Sequence, residues 1–377
     1  MTIHWCGTGL SAIPGLRRLI KAGHEVSVWN RTTQKAEDAV GDLTQAIFAF
    51  DTDAISAVVQ PGDIVVSMLP GDWHVPLAEM CLSKGAHFVS SSYIAPEMRA
   101  LHARAEAAGL SFVNEIGLDP GIDHLMAHAL MADFRSSGVM GDLSFISYCG
   151  GIPKHPNPFR YKFSWSPLGV LKALRSPSRS IRDFKELNVA RPWDAISSYT
   201  APLRNPESFE VYPNRDSLPF MQDYGFDAGW RVKEFVRGTL RLNGWAEAWK
   251  DVFAEVETLE GPAGDARLRE MSDTFWAENA YEEGEPDRVV MCVSLKVEAG
   301  GGTVWHKTYV MDAWGDENGT AMARLVSIPL SLAIESVARG EMPAGVSAAP
   351  SDPALVERYL GEVDKLAQHL SIVDHLP

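Results

Sequence analysis

Residues 3–15 read IHWCGTGLSAIPG and residues 24–32 read HEVSVWNRT. The first stretch opens as a short apolar strand, turns at Gly7-Thr8-Gly9, and leads into Leu16, Leu19 and Ile20, spaced as on one face of a helix that stops at Gly23. The second stretch reads as a strand. Strand, glycine-rich turn, helix and strand within about thirty residues form the βαβ context that a GxG turn needs before it means anything. Gly7 suits the tight turn. Gly9 lets a pyrophosphate approach the backbone at the helix N-terminus, where unpaired N–H groups favour an anion. Ala12 stands in the third glycine's place, where a small residue allows close helix–strand packing.

The end of the second strand discriminates between cofactors. NAD-binding folds usually carry an acid there for the ribose 2′-hydroxyl. This chain has Trp29-Asn30-Arg31-Thr32-Thr33 and no acid. A guanidinium pairs with a 2′-phosphate that a carboxylate would repel, so Arg31 and Thr32 predict NADP. The competing reading of Arg31 is a solvated loop arginine.

Apolar runs at 47–50, 63–70, 86–93 and 110–113 alternate with helical patterns, as in a buried parallel sheet. Such doubly wound sheets bind ligands beyond the C-terminal strand ends, where strand order reverses. Leu69-Pro70, Ser91-Ser92-Tyr93 and the segment NEIGLDPGIDHLMAH (114–128) are therefore the places to examine. In that segment Asp119 is expected as a helix N-cap, with Pro120 at the first helical position. Its second reading is a ligand contact at the mouth of the crevice. Asp123 adds negative charge near the helix start. His124 and His128 form HxxxH without the intervening Glu of a zinc protease, so no metal site is expected.

Beyond about residue 135 the pattern changes. DLSFISYCGGIP (142–153) reads as a strand ending in Cys149-Gly150-Gly151, YKFSWSPLG (161–169) as an aromatic loop, and 288–299 with 303–315 as a hairpin around a glycine run. This predicts a Rossmann doubly wound parallel α/β sheet at 1–124 and an α+β domain with a mixed sheet at 125–318, carrying a short helical insertion at about 246–287. Residues 319–377 read as helices returning to the first domain, with Pro329 kinking or dividing the first of them and the C-terminal tail as amphipathic helix.

The 377 residues are 46% hydrophobic and carry a formal net charge of −15. That charge disfavours nucleic acid and anionic membranes as partners, and any anionic ligand needs arginines gathered locally. No apolar run approaches the length of a membrane span. The N-terminus shows no secretory pattern and the four cysteines are unpaired in sequence, so a reducing cytoplasm is expected.

The ordered set GTGLSAIP, NRT, SSSYIAP, NEIGLDPGIDHLMA, SYCGGIP, YKFSWSPLGVL, YPNRDS and RGTLR resembles the saccharopine reductase family, the NADP-dependent, glutamate-forming saccharopine dehydrogenases. The resemblance spans most of residues 5–250 and resumes at about 288–345. It implies reduction of the imine of an amino-acid semialdehyde and glutamate to a secondary amine, saccharopine, reversibly. By matched motif, Gly7, Thr8, Gly9, Leu10, Ser11, Asn30, Arg31, Thr32, Leu69, Pro70, Ser91, Leu118 and Pro120 would meet NADP. Ser92, Tyr93, Asp119, Arg215, Thr239, Leu240 and Arg241 would meet a multi-carboxylate amino-acid substrate. Asp119, Tyr93 and Cys149 are the catalytic candidates, with simple packing as the alternative for Cys149. The family analogy also implies a homodimer through the second domain's sheet. Three departures bear on the substrate: a shorter insertion, a different C-terminal tail, and GDWH after Pro70 in place of the expected Tyr. The alternatives are a carboxynorspermidine-type or opine-like imine reductase, favoured by acidic residues in the cavity, and a non-catalytic NADP sensor, favoured by tight NADPH binding without turnover.

Overall fold

A computed structural model describes residues 1–376, which divide into two compact units: 1–125 with 323–363, and 126–322 with 364–376. In the first unit, β1 (Ile3–Cys6), β2 (Val26–Asn30), β3 (Ile47–Ala49), β4 (Ile64–Ser67), β5 (His87–Ser90) and β6 (Ser111–Val113) are joined by a seventh strand, Gly345–Ser347. All pair in parallel, in the order Gly345–Ser347, β6, β5, β4, β1, β2, β3. Strand order reverses between β1 and β4, which puts the ligand crevice of a doubly wound sheet at their C-terminal ends. β1 and β4 are buried at every residue, which explains their mostly apolar runs.

The second unit contains β7 (Asp142–Pro153), β8 (Ser178–Arg182), β9 (Lys185–Val189), β10 (Ser197–Ala201), β11 (Glu207–Pro213), β12 (Arg231–Leu242), β13 (Asp287–Ala299), β14 (Gly302–Trp314) and a last strand, His369–Asp374. The main path runs β10, β11, β12, β7, β13, β14, His369–Asp374, with β8 pairing β12 and β9. Only β12 and β7 pair in parallel, so the sheet is mixed. Helices Pro167–Leu174, Lys250–Glu257 and Gly261–Asn279 pack into an aromatic cluster with Tyr161, Tyr212, Trp245 and Trp249. A helix thus begins inside the stretch read as a loop: Ser166 accepts from Gly169 N at 3.1 Å and Pro167 starts the first turn.

Four expectations are corrected. Residues 319–376 do not return as one helical block: Gly345–Ser347 is a strand, 364–376 lie in the second unit, and the tail is a helix only over Pro353–Asp364. His369–Asp374 instead pairs antiparallel with Lys307–Asp312 of β14. Gln368 extends that ladder, accepting from Trp314 N at 2.7 Å and donating to Trp314 O at 3.2 Å. Second, Pro329 does not divide its helix, which runs through it over Ala321–Ala338. Third, this helix is long and apolar enough to cross a membrane by length and composition, although no such segment was expected. Of it, 78% is buried inside the protein, and Arg324, Ser327, Ser331 and Ser336 are among its buried residues, as suits a core helix.

Fourth, Asp119 is not an N-cap and Pro120 is not the first helical residue, because the helix spans Ile122–Ser137. Residues 117–121 fold into a tight loop in which Gly117 N bonds Pro120 O, while Ile122 N and Asp123 N bond Gly117 O and Leu118 O. Gly121 has φ of +148°, and a Cβ there would stand 2.2 Å from Gly117 O, so only glycine closes this loop. Asp123 accepts from Gly121 N at 2.7 Å.

Candidate nucleotide and substrate sites

The expected nucleotide residues gather along one edge of the parallel sheet. Gly7 to Ser11 follow β1, Asn30 to Thr32 end and follow β2, Leu69-Pro70 follow β4, Ser91 follows β5, and Leu118 and Pro120 follow β6. Gly7 has φ of +104°, and its added Cβ would meet Met68 O at 2.8 Å, so the turn requires glycine. Around Gly9 a Cβ would meet nothing within 4 Å, which leaves room for a ligand against the backbone. Thr8 Oγ1 is buried without a hydrogen-bond partner among the described residues. The helix Ile13–Lys21 has no side-chain cap and no acid in its first turn, so its N-terminal N–H groups keep their affinity for an anion. Arg31 and Thr32 are exposed at the ribose end. A pyrophosphate and a 2′-phosphate fit this donor set.

Not every assigned residue contributes its side chain. Asn30 spans the two ends of the turn: its Oδ1 accepts from Thr8 N at 3.1 Å and its Nδ2 donates to Thr32 O at 2.8 Å. It therefore shapes the loop. Leu118 and Pro120 are buried, whereas Leu10 is 50% exposed. Ala12 is buried, and a further close approach, to another helix, falls at Gly15. There an added Cβ would stand 2.0 Å from Ser327 O, and Gly15 N donates to Ser327 Oγ at 2.8 Å. Replacing Arg31 with Ala should cut the preference for NADPH over NADH by about tenfold or more, the worth of a charge-assisted bond to phosphate. An unchanged ratio of kcat/KM for the two cofactors would return Arg31 to the role of a solvated loop residue.

The loops after β5 and β6 are stitched together. Tyr93 Oη donates to Asp119 Oδ1 at 3.1 Å, joining two of the three catalytic candidates. Glu115, buried with φ of +50°, accepts from Ile94 N at 2.8 Å, while its own N bonds Ser92 O at 3.0 Å. Its other oxygen lies 3.1 Å from His124 Nε2. His124 thus faces the Glu115 carboxylate, and His128 packs edge-on against Tyr224, so the HxxxH pair faces two different partners. No group of three or more metal-ligating side chains occurs among the described residues. His74, in the GDWH departure, is buried between Ser67 Oγ and Ser92 Oγ, each 2.8 Å away. Burial lowers its imidazole to about 4.

In the second unit, register places Tyr212, Thr239 and Cys149 side by side on β11, β12 and β7. Gly150 permits this pairing, because its Cβ would stand 2.2 Å from Leu240 O. Cys149 and Leu240 are buried. Arg241 lies two residues beyond Thr239, on the same face of β12. Its guanidinium stands 4.9 Å from the Tyr161 ring, 5.7 Å from Tyr212 and 5.4 Å from Trp245. It is 5% exposed, donates to Leu240 O at 3.2 Å, and leaves Nε without a hydrogen-bond partner among the described residues. Burial pushes the neighbouring Tyr212 phenol up, although Arg241 and Thr239 pull it down. Arg215, exposed with φ of +55°, lies in the loop after β11. Sequence reasoning missed the aromatic cage, Glu115 and His74; Tyr161 and Tyr212 stood in quoted motifs, but nothing in their spacing marked them as neighbours of Arg241.

Sheet, turn and donor set define a nucleotide-binding Rossmann-type protein with a second, mixed-sheet unit. Residues 3–113 match the saccharopine dehydrogenase NADP binding domain and residues 117–367 the saccharopine dehydrogenase C-terminal domain. The chain belongs to the saccharopine dehydrogenase family. It is 30% identical to the saccharopine dehydrogenase [NADP(+), L-glutamate-forming] of Saccharomyces cerevisiae, over 97% of each chain. The protein of that name from Pyricularia oryzae is 29% identical, covering 89% of this chain and 90% of the relative. The bovine mitochondrial alpha-aminoadipic semialdehyde synthase is also 29% identical, but the chain spans only 38% of its length. Among solved structures, the apo saccharopine dehydrogenase (L-Glu forming) from Saccharomyces cerevisiae superposes with a TM-score of 0.80 at 25% identity, covering 99% of each chain. A homospermidine synthase from Legionella pneumophila shares the fold, at a TM-score of 0.66 and 9% identity.

Proposed function

We propose that this chain is an NADP-dependent saccharopine reductase, which condenses an amino-acid semialdehyde with glutamate and reduces the resulting imine to a secondary amine, reversibly. The observation that carries the substrate class is Arg241, a buried guanidinium without an ion pair among the described residues. A buried charge left without a counter-charge is costly, so the site favours a ligand that brings a carboxylate. In a chain of net charge −15 this is the local reversal of field that a multi-carboxylate substrate requires. A polyamine would gain nothing from it.

NADPH, when bound, supplies the hydride. Gly7, Thr8, Gly9 and the following helix N-terminus hold its pyrophosphate, and Arg31 with Thr32 hold its 2′-phosphate. Arg215 and Arg241 take substrate carboxylates. Asn214, beside Arg215, bonds Arg237 O at 2.9 Å, and Arg241 lies four residues further along the strand. At about 3.3 Å per residue that is roughly 13 Å, a spacing suited to two carboxylates of one elongated substrate. Asp119, with Tyr93 donating to it, takes the proton that the glutamate ammonium must lose before it attacks, and returns one to the departing water. Holding the reacting atoms together supplies a further large share of the acceleration. The reading extends to a cytoplasmic location, supported by four buried cysteines that form no disulfide, and to a homodimer through the mixed sheet, supported by the family resemblance.

NADP-linked oxidation of saccharopine, beside a panel of other secondary-amine dicarboxylates and of polyamine adducts, tests the reading. Saccharopine should show the highest kcat/KM. Faster turnover of a polyamine adduct would move the chain to the carboxynorspermidine-type activity, and tight NADPH binding without turnover of any substrate would make it a sensor.

A further inference from the structure

The segment after Pro70, GDWH, holds a side chain that the mechanism above does not use. His74 opens the helix His74–Lys84, is 7% exposed, and packs edge-on against Phe88 at 6.4 Å. Its two ring nitrogens reach two hydroxyls: Nδ1 to Ser67 Oγ and Nε2 to Ser92 Oγ, each at 2.8 Å. Because burial lowers its pKa to about 4, the ring is neutral at ordinary pH. A neutral imidazole donates from one nitrogen and accepts at the other.

Which nitrogen donates follows from Ser67. This serine is 1% exposed at the end of β4, and its hydroxyl has no partner other than His74 among the described residues. A buried hydroxyl hydrogen without an acceptor costs free energy, so the Ser67 hydrogen belongs on Nδ1. The imidazole hydrogen is then on Nε2 and points at Ser92 Oγ. The rest of Ser92 is pinned as well: its N donates to Ser90 Oγ at 3.1 Å and its carbonyl accepts from Glu115 N at 3.0 Å. With Oγ already accepting, the half-buried Ser92 hydroxyl keeps its own hydrogen for a ligand.

We propose that His74 is a positioning residue that makes the Ser92 hydroxyl a hydrogen-bond donor to a substrate carboxylate, through a directed chain from Ser67 to His74 to Ser92. The inference rests on the placement of Ser92 at the amino-acid substrate proposed above.

Two experiments decide it. In protein labelled with 15N-histidine, the His74 ring should show the Nε2–H tautomer near neutral pH; an Nδ1–H tautomer would overturn the chain's direction whether or not saccharopine is turned over. In steady-state kinetics, His74→Ala should raise the KM for saccharopine about tenfold, the scale of a hydrogen bond to a charged group, with kcat within about twofold and NADPH affinity unchanged. His74→Gln, whose amide can reach Ser92, should recover most of that loss. His74→Asn, which reaches only toward Ser67, should not. In a Ser92→Ala background, His74→Ala should add less than about twofold, because neighbours acting through one bond are not additive. An equal loss in both backgrounds, or a matching loss of NADPH affinity, would reduce His74 to a packing residue. If the wild-type chain does not oxidise saccharopine, the proposed function fails on its own, and the tautomer still decides this inference.

Discussion

Replacing Asp119 with Asn should lower kcat about 100-fold or more while leaving NADPH affinity unchanged. The amide keeps the shape and can still accept from Tyr93, whose hydroxyl lies 3.1 Å from Oδ1 in the wild-type protein. It cannot take a proton or carry charge. General acid–base assistance contributes roughly 10²–10⁴ in rate, so the loss should fall in that range if Asp119 moves protons at the amine. The variant should also lose the acidic limb of the pH–rate profile. The structural alternative is weaker than the sequence allowed, because the helix begins at Ile122, three residues beyond Asp119. Equal activity at every pH would leave Asp119 as no more than an acceptor for Tyr93.

Arg241→Met should separate binding from stability. It removes the guanidinium but keeps an unbranched apolar stem among Tyr161, Tyr212 and Trp245. A charge-assisted bond is worth about 1.5–3 kcal/mol, so KM for saccharopine or glutamate should rise roughly 10- to 150-fold. Stability should hold or improve, because the substitution also removes a buried guanidinium whose Nε has no hydrogen-bond partner among the described residues. Had Arg241 served a structural ion pair, the same change would leave a buried carboxylate unpaired and cost about 3–5 kcal/mol. Thermal denaturation and substrate saturation on the same variant distinguish the two roles; unaltered saturation by glutamate would end the carboxylate assignment.

Most of the first unit's sheet was legible because β1, β4, β5 and β6 are largely buried, mostly apolar runs bounded by turn residues, whereas Gly345–Ser347, inside a stretch read as helix, is a strand only by its pairing with β6. The hairpin of β13 and β14 was legible for the same reason, with its glycine run marking the turn. What local pattern could not give was partnership at long range. The segment His369–Asp374 is too short to outweigh the helical periodicity before it, and only β14 makes it a strand. The Asp119-Pro120 pair carries the usual signature of a helix start, yet the backbone bonds from Ile122 and Asp123 to Gly117 and Leu118 claim those residues for a loop. The same limit applies to the sites. Glycines and Arg31 announce themselves by type and position, whereas the cage around Arg241 and the two serines on His74 meet only after folding.

Gly15 ties the phosphate turn to a partner more than 300 positions away, because Ser327 packs where its side chain would be. The nucleotide-binding half cannot therefore be cut out as the first 125 residues: such a fragment would carry every glycine of the turn but lack the wall that sets the helix behind it. During synthesis the turn is made long before the helix Ala321–Ala338 that backs it, so the half that is written first waits for almost the whole chain to be completed.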